Sequence, residues 1–202
     1  MELNEVISNL EKKGYLVSYY ETAEEATEAI DGSVDGTTVG MGGSVTIDEL
    51  GLAEKLKKHN TVYWHQHLQP GDDANAIRAA ANGAEVYLSS VNAIAGTGEI
   101  VNIDGTCNRV AAMLYGHKRV IFVAGINKLA ENEEKAIARA RNVAAPKNAK
   151  RLHRNTPCAV NADRCYNCKS PERICRALSV FWEKPSNGIR YEIVLVGETL
   201  GY

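Results

Sequence analysis

Apolar, β-branched runs alternate with helical patterns along the chain. Runs near 15–20 (YLVSYY), 37–41 (TTVGM), 61–64 (TVYW), 85–89 (EVYLS), 119–124 (RVIFVA) and 190–196 (RYEIVLV) read as strands. Between them, helices are expected near 2–13, 23–30, 46–59, 73–82, 107–115 and 131–143. This alternation predicts an α/β fold, a mainly parallel sheet with helices on both faces. Two helix starts carry the capping-box pattern, Thr22 with Glu25 and Thr46 with Glu49, in which each side chain satisfies a backbone N–H at the helix mouth.

The rhythm breaks after NVAAPKNAKRL. Pro146, Pro157, Pro171 and Pro185 punctuate a stretch before one last apolar strand, and four of the five cysteines fall inside it. The chain, 1–202, is therefore read as one α/β domain, with a cysteine-rich, metal-binding segment at 154–178 inserted before the final strand. At 202 residues, with 45% apolar and 24% charged positions, it can bury a real core without disulfides, and disorder is excluded. The start, MELNEVISNLEKKG, is acidic and helical, unlike a secretion signal, and no apolar run reaches the roughly 18 residues of a membrane span. A cytoplasmic protein with no membrane contact is expected.

The net charge of −2 hides an asymmetry. Residues 147–176 hold eight Lys or Arg against Asp163 and Glu172, a local +6. Such a face is either simply solvated, or offsets metal-bound thiolates, or receives an anionic partner. It lacks interleaved aromatics apart from Tyr166, so no nucleic-acid partner is expected.

The cysteines are spaced C-x6-C-x2-C-x6-C: Cys158, Cys165, Cys168 and Cys175. Four clustered thiols in a reducing compartment point to metal rather than bridges. They suit tetrahedral zinc or the corners of a [4Fe–4S] cluster in number and charge. Structural zinc usually uses two C-x2-C knuckles and only one is present, which favours the iron–sulfur cluster, with zinc as the alternative.

Other motifs point to a ligand. GMGGSVTIDELG (40–51) follows an expected strand and opens an expected helix. There Gly40, Gly42, Gly43 and Ser44 could aim backbone N–H groups at a phosphate, carboxylate or carbonyl oxygen, or form only a tight turn. NAIAGTGEIVNIDGTCNRV (92–110) concentrates Asn92, Glu99, Asn108 and Arg109, and GINK (125–128) delivers Asn127 and Lys128 to the same sheet edge. Carboxyl ends of strands are where α/β proteins place chemistry. Glu99 is a candidate base or nucleophile; Arg109 and Lys128 could clamp an anionic substrate. Asp104–Gly105 reads as a turn between EIVNI and the next helix. His65 and His67 could form a metal pair, although an ordinary loop-end pair is the stronger reading. Cys107 reads as a buried small hydrophobe, with a thiolate favoured by Arg109 and a helix start.

Taken together, GMGGSVTIDELGL, NAIAGTGEIVNIDGTCNRVAAMLYG, VIFVAGINKLAENEEKAIARARNVAAPKNAKRL and PCAVNADRCYNCKSPERIC resemble the lactate utilization (LUD) domain family, in its standalone branch with a carboxy-terminal four-cysteine motif. The resemblance implies a fold similar to the ribose-5-phosphate isomerase and CoA-transferase superfamily, whose glycine loop receives a phosphate or acyl oxygen, here at Gly40, Gly42, Gly43 and Ser44. It further implies a redox protein linked to lactate or another small 2-hydroxy or 2-oxo acid, carrying a [4Fe–4S] cluster. A small anionic metabolite would be its ligand and an electron-transfer protein a candidate partner; a homo-oligomer is left open. Two alternatives stand beside this reading. One is an acyl or CoA transferase or sugar-phosphate isomerase with structural zinc, using Glu99 and Lys128 as catalytic residues; the other is a metabolite or redox sensor without turnover. Cys107 stands where the resemblance leads one to expect glycine.

Overall fold

The computed structural model describes residues 2–161 and 163–202. Its helices are α1 (Leu3–Lys12), α2 (Ala23–Ser33), α3 (Val45–Glu49), α4 (Leu52–Leu56), α5 (Ala74–Asn82), α6 (Asn108–Leu114), α7 (Glu133–Arg139), α8 (Ala145–Arg151) and α9 (Pro157–Asn161). Its strands are β1 (Leu16–Tyr20), β2 (Thr38–Met41), β3 (Thr61–Trp64), β4 (Val86–Ser90), β5 (Ala93–Ala95), β6 (Ile100–Asp104), β7 (Arg119–Gly125), β8 (Leu129–Ala130), β9 (Ala177–Phe181) and β10 (Arg190–Val196).

The six expected strands build one six-stranded sheet in the order β1-β10-β7-β4-β2-β3, with every pairing parallel. Alternate residues of each central strand enter different cores. In β7, Ile121 and Val123 face one cluster with α2, α3 and α4, while Val120, Phe122 and Ala124 face another with α1 and α6. Burial on both faces is why these strands read as continuous apolar runs rather than alternating ones. The Thr22–Glu25 capping box forms in both directions at the start of α2.

Three departures from the sequence reading shape the site. The helix expected at 46–59 is two short helices, because Gly51 takes a left-handed conformation (φ +62°) between α3 and α4. The cap of α3 is Ser44, whose hydroxyl accepts from the Ile47 N–H, and not Thr46. The helix expected to end at 143 continues to Arg151 through a π-turn at Ala140–Ala144. Pro146 has no N–H for the ordinary i→i−4 bond, and the widened turn lets the helix pass it.

A second sheet, β8-β5-β6-β9, was not expected. β5 and β6 form a hairpin through Gly96–Glu99, closed by the Ala95 N–H on the Glu99 carbonyl (2.8 Å), and β9 pairs antiparallel with β6. Its inner face packs Ala93, Ala95 and Val101 on Ala136 and Ala140 of the α7 helix and the π-turn. Asp104 ends β6 rather than making a hairpin turn. Its carboxylate accepts from the N–H groups of Gly105, Cys107 and Val110 and so orders the chain into α6. Among the described residues no helix is long and apolar enough to cross a membrane.

Candidate functional site

The carboxyl ends of β2, β4 and β7 open on one side of the main sheet, and the chain leaving each contributes to a common cleft. Gly43, Ser44, Val45 and Thr46 come from the β2–α3 loop, Ser90, Val91 and Asn92 from the end of β4, and Lys128 from the 3-10 turn after β7. Ile103, Arg109, Ile174, Ala144, Ala145, Asn148, Arg151 and Tyr202 complete its lining. The cavity measures about 70 Å³. Gly43, Ile103, Arg109, Asn148, Arg151 and Ile174 also border an outer recess of about 340 Å³, reached by His65, Arg78, Asp104, Asn108 and Arg154.

Lys128 is the unusual group. Its side chain is 3% exposed, and its Nζ donates to Thr46 Oγ1 and Ser90 Oγ, both at 2.7 Å. Loss of hydration, and then the charges of Arg139 and Arg109, push the amine down to about 7, with Glu49 opposing. No carboxylate pairs with it among the described residues.

The arginines divide in role. Arg109 spends Nη1 on the Ser90 carbonyl and Asn102 Oδ1 (2.8 Å) and Nη2 on the Ile103 carbonyl (2.7 Å), with Asp104 3.8 Å from Nε. It ties the end of β4 to the end of β6 and leaves a fixed positive charge at the cleft. Arg151 directs Nε and Nη2 to Asn148 Oδ1 and Nε to Tyr202 Oη, which leaves Nη1 without a protein partner among the described residues. In the outer recess, the Arg78 Nε and the His65 Nδ1 are buried without partners among the described residues. Burial and nearby Arg78 hold the His65 imidazole below its usual range, against Asp104.

Several candidates therefore meet in one place: Gly43, Ser44, Asn92, Arg109 and Lys128 in the cleft, with Asn108 on its outer recess. Asn92 accepts the Ile103 N–H at 2.6 Å, so its side-chain oxygen is already engaged. Gly40 and Gly42 support the loop instead of lining it. A Cβ on Gly40 would strike the Ala81 carbonyl, and one on Gly42 would lie 2.9 Å from Arg109, Ser89 and Tyr87 atoms. Asn127 brackets the segment after β10, accepting from Leu200 N at 3.1 Å. Glu99 is not brought to the cleft. It sits in the β5–β6 hairpin, bonded to Thr97 and ion-paired with Lys13 of α1 at 2.8 Å; burial opposes its ionisation, but these partners leave it below its usual range. His65 and His67 part company, since His67 bonds Asp48 at 2.7 Å.

Thr46, Ser90, Asn148 and Arg151 went unread as candidate site residues. Thr46 was absorbed into a capping pattern and Ser90 into a strand end. Asn148 and Arg151 lay beyond the helix's expected end at 143, and only the π-turn carries them to the cleft.

The cysteine segment folds back over the same edge. Gly105 packs against the Ile174 carbonyl, the Arg176 N–H bonds the Asp104 carbonyl at 2.9 Å, and Ile174 lines the cleft next to Cys175. At the C-x2-C knuckle, Cys165 Sγ accepts the Asn167 N–H at 3.3 Å and faces Arg141 at 3.9 Å. Arg173 braces the segment by donating to the Cys168 and Cys175 carbonyls. Yet among the described residues no three His, Cys, Asp or Glu side chains gather as a metal group. Cys158, Cys165, Cys168 and Cys175 as placed do not form a closed site. Cys107 is half-buried rather than buried as expected, and it adopts a left-handed conformation (φ 67°), the region that glycine enters most readily.

Comparison with known proteins matches the LUD domain to residues 3–196. A DUF162 family protein from Deinococcus radiodurans is similar in structure over 96% of each chain, at 15% identity and a TM-score of 0.56. Ribose 5-phosphate isomerase from Plasmodium falciparum overlaps 54% of this chain and 52% of its own, at 16% identity and a TM-score of 0.35. eIF2B beta from Chaetomium thermophilum overlaps 65% and 43%, at 15% identity and 0.33. The first likeness shows a shared fold; the other two carry no argument. No curated protein matches.

Proposed function

The chain belongs to the LUD domain family, and from that membership we propose that its cleft binds a small 2-oxo or 2-hydroxy carboxylate, with Lys128 exchanging a proton at the C2 oxygen. One observation carries the reading: an amine nearly free of water, set between two hydroxyls, with no carboxylate partner among the described residues, in a cleft bordered by Arg109 and Arg151. A buried ammonium without an anion is costly, so the site gains by taking a negative ligand. The ligand's carboxylate would take the free Nη1 of Arg151, a charge-assisted bond. Its C2 oxygen would then face Lys128, which near neutral pH can accept a proton from a hydroxyl or give one to a carbonyl oxygen.

Isothermal titration with lactate, pyruvate, acetate and inorganic phosphate tests this. Lactate and pyruvate should bind more tightly than acetate, and Lys128→Met should remove that preference. Equal binding of all four, or tighter binding of phosphate, would move the reading to the isomerase or transferase class, whose larger phosphate ligand suits the outer recess with Arg78 and Arg154.

For the redox part of the reading, Cys158, Cys165, Cys168 and Cys175 are the proposed holders of a [4Fe–4S] cluster, with zinc as the alternative. The cluster would supply electron transfer to a protein partner. Metal binding would have to draw the loop closed, as it does where ligation and local folding are coupled. About four iron atoms per chain in anaerobically purified protein would support the cluster; stoichiometric zinc without visible absorbance would replace it.

A further inference from the structure

We propose that Lys128 forms an imine with the C2 carbonyl of a 2-oxo acid, acting as a nucleophile as well as a proton carrier. The inference rests on the reading of the cleft as a carboxylate site and deepens it.

The hydrogen-bond geometry around Nζ points to it. The Thr46 hydroxyl faces the Leu200 carbonyl at 3.4 Å and the Ser90 hydroxyl faces the Val91 carbonyl at 3.5 Å, so each hydroxyl has an acceptor for its own hydrogen. Both oxygens are then left to accept from Lys128, at 2.7 Å each. A neutral amine carries two N–H bonds and one lone pair. Its hydrogens are both engaged, and the lone pair is the valence left for a ligand. An acidic residue that would keep the group as an ammonium is missing from its hydrogen-bond partners among the described residues. Burial and the neighbouring arginines favour the neutral form, the usual way a lysine is activated as a nucleophile. The cavity of about 70 Å³ admits a molecule of a few heavy atoms and little solvent besides.

The step balances without an oxidant or reductant. The Nζ lone pair adds to C2, the amine's two hydrogens leave it, and the C2 oxygen departs with them as water, leaving a C=N bond. Ser90 and Thr46, each in contact with Nζ, are placed to pass those protons to the departing oxygen. Arg151 holds the carboxylate throughout. A 2-hydroxy acid has no C2 carbonyl and cannot react this way, so the site would hold the two acid classes differently, one covalently and one by hydrogen bonds alone.

The test uses pyruvate as probe, with sodium cyanoborohydride to reduce the imine and peptide mass mapping to locate it. At pH 7 the reduced adduct should form on Lys128 on the order of a hundredfold faster than on a surface lysine, whose amine is almost wholly protonated there. It should saturate with pyruvate and be suppressed by lactate as a competitor. Lactate alone should give none, and Lys128→Arg, whose guanidinium stays protonated and has no lone pair to add to a carbonyl, should give none at that position. Titration calorimetry separates the possible failures. Pyruvate bound without an adduct on Lys128 would overturn the imine and leave the carboxylate site standing; no binding of pyruvate or lactate would overturn both.

Discussion

Replacing Lys128 with Met should change how the stability of the protein depends on pH. An unfolded lysine keeps its proton up to about pH 10.4, whereas the buried amine sheds its proton near 7. Across that window the unfolded state binds more protons, so wild-type stability must rise with pH. The cost of burying the amine is fully present below about pH 7 and is gone above about 10.4. Within the window the slope is about 1.4 kcal/mol per pH unit, so about 3 kcal/mol is regained between pH 7 and 9. At 2–4 °C per kcal/mol for a chain of this size, that is a shift of roughly 6–12 °C in melting temperature. Methionine has no such titration, and the contributions of other groups cancel in the difference. Thermal unfolding of both proteins from pH 6 to 9 should therefore show the wild type gaining on the variant as pH rises. Parallel curves would mean that Lys128 keeps its charge in the folded protein, and the chemistry assigned to it would fail.

Arg151→Ala should weaken pyruvate or lactate binding by about 1.5–3 kcal/mol, the usual worth of a bond to a charged group, read by calorimetry with the fold checked by circular dichroism. Glu99→Gln should leave that binding unchanged and cost about 1 kcal/mol of stability through its bond to Lys13, measured by urea unfolding. Gly40→Ala should destabilise by about 1–3 kcal/mol or more, because its Cβ meets the Ala81 backbone. Gly43→Ala should be tolerated, since the nearest atom to its Cβ, His65 Nε2, lies 3.6 Å away. Cys107→Gly should raise stability by about 1 kcal/mol through relief of the left-handed backbone, seen as a higher melting temperature.

What the sequence disclosed follows from where each signal lives. The six strands of the main sheet are buried on both faces, and continuous apolar runs such as RVIFVAG and RYEIVLV announce that without help from the rest of the chain. The second sheet is written differently: β5 has three residues and β8 two, too few for any period, and their pairing depends on contacts distant in sequence. For the candidate site, the shared sheet edge of the glycine loop and Lys128 was legible because both follow recognisable strands. Glu99 misled because a carboxylate in a polar, glycine-rich loop looks the same whether it faces a ligand or, as here, Lys13. Arg151 was hidden by Pro146, which reads as a helix end until the π-turn is seen. The spacing of Cys158, Cys165, Cys168 and Cys175 was plain in the sequence, but spacing alone does not fix how the four side chains sit in space, and among the described residues they do not gather as a metal group.

A structure of the protein with pyruvate or lactate bound tests the central claim most directly. The account predicts the carboxylate within hydrogen-bond distance of Arg151 Nη1 and the C2 position against Lys128 Nζ, between Thr46 and Ser90. A ligand seated elsewhere, in the outer recess at Arg78 and Arg154 or on the cysteine side of Ile103, with Lys128 untouched, would contradict it.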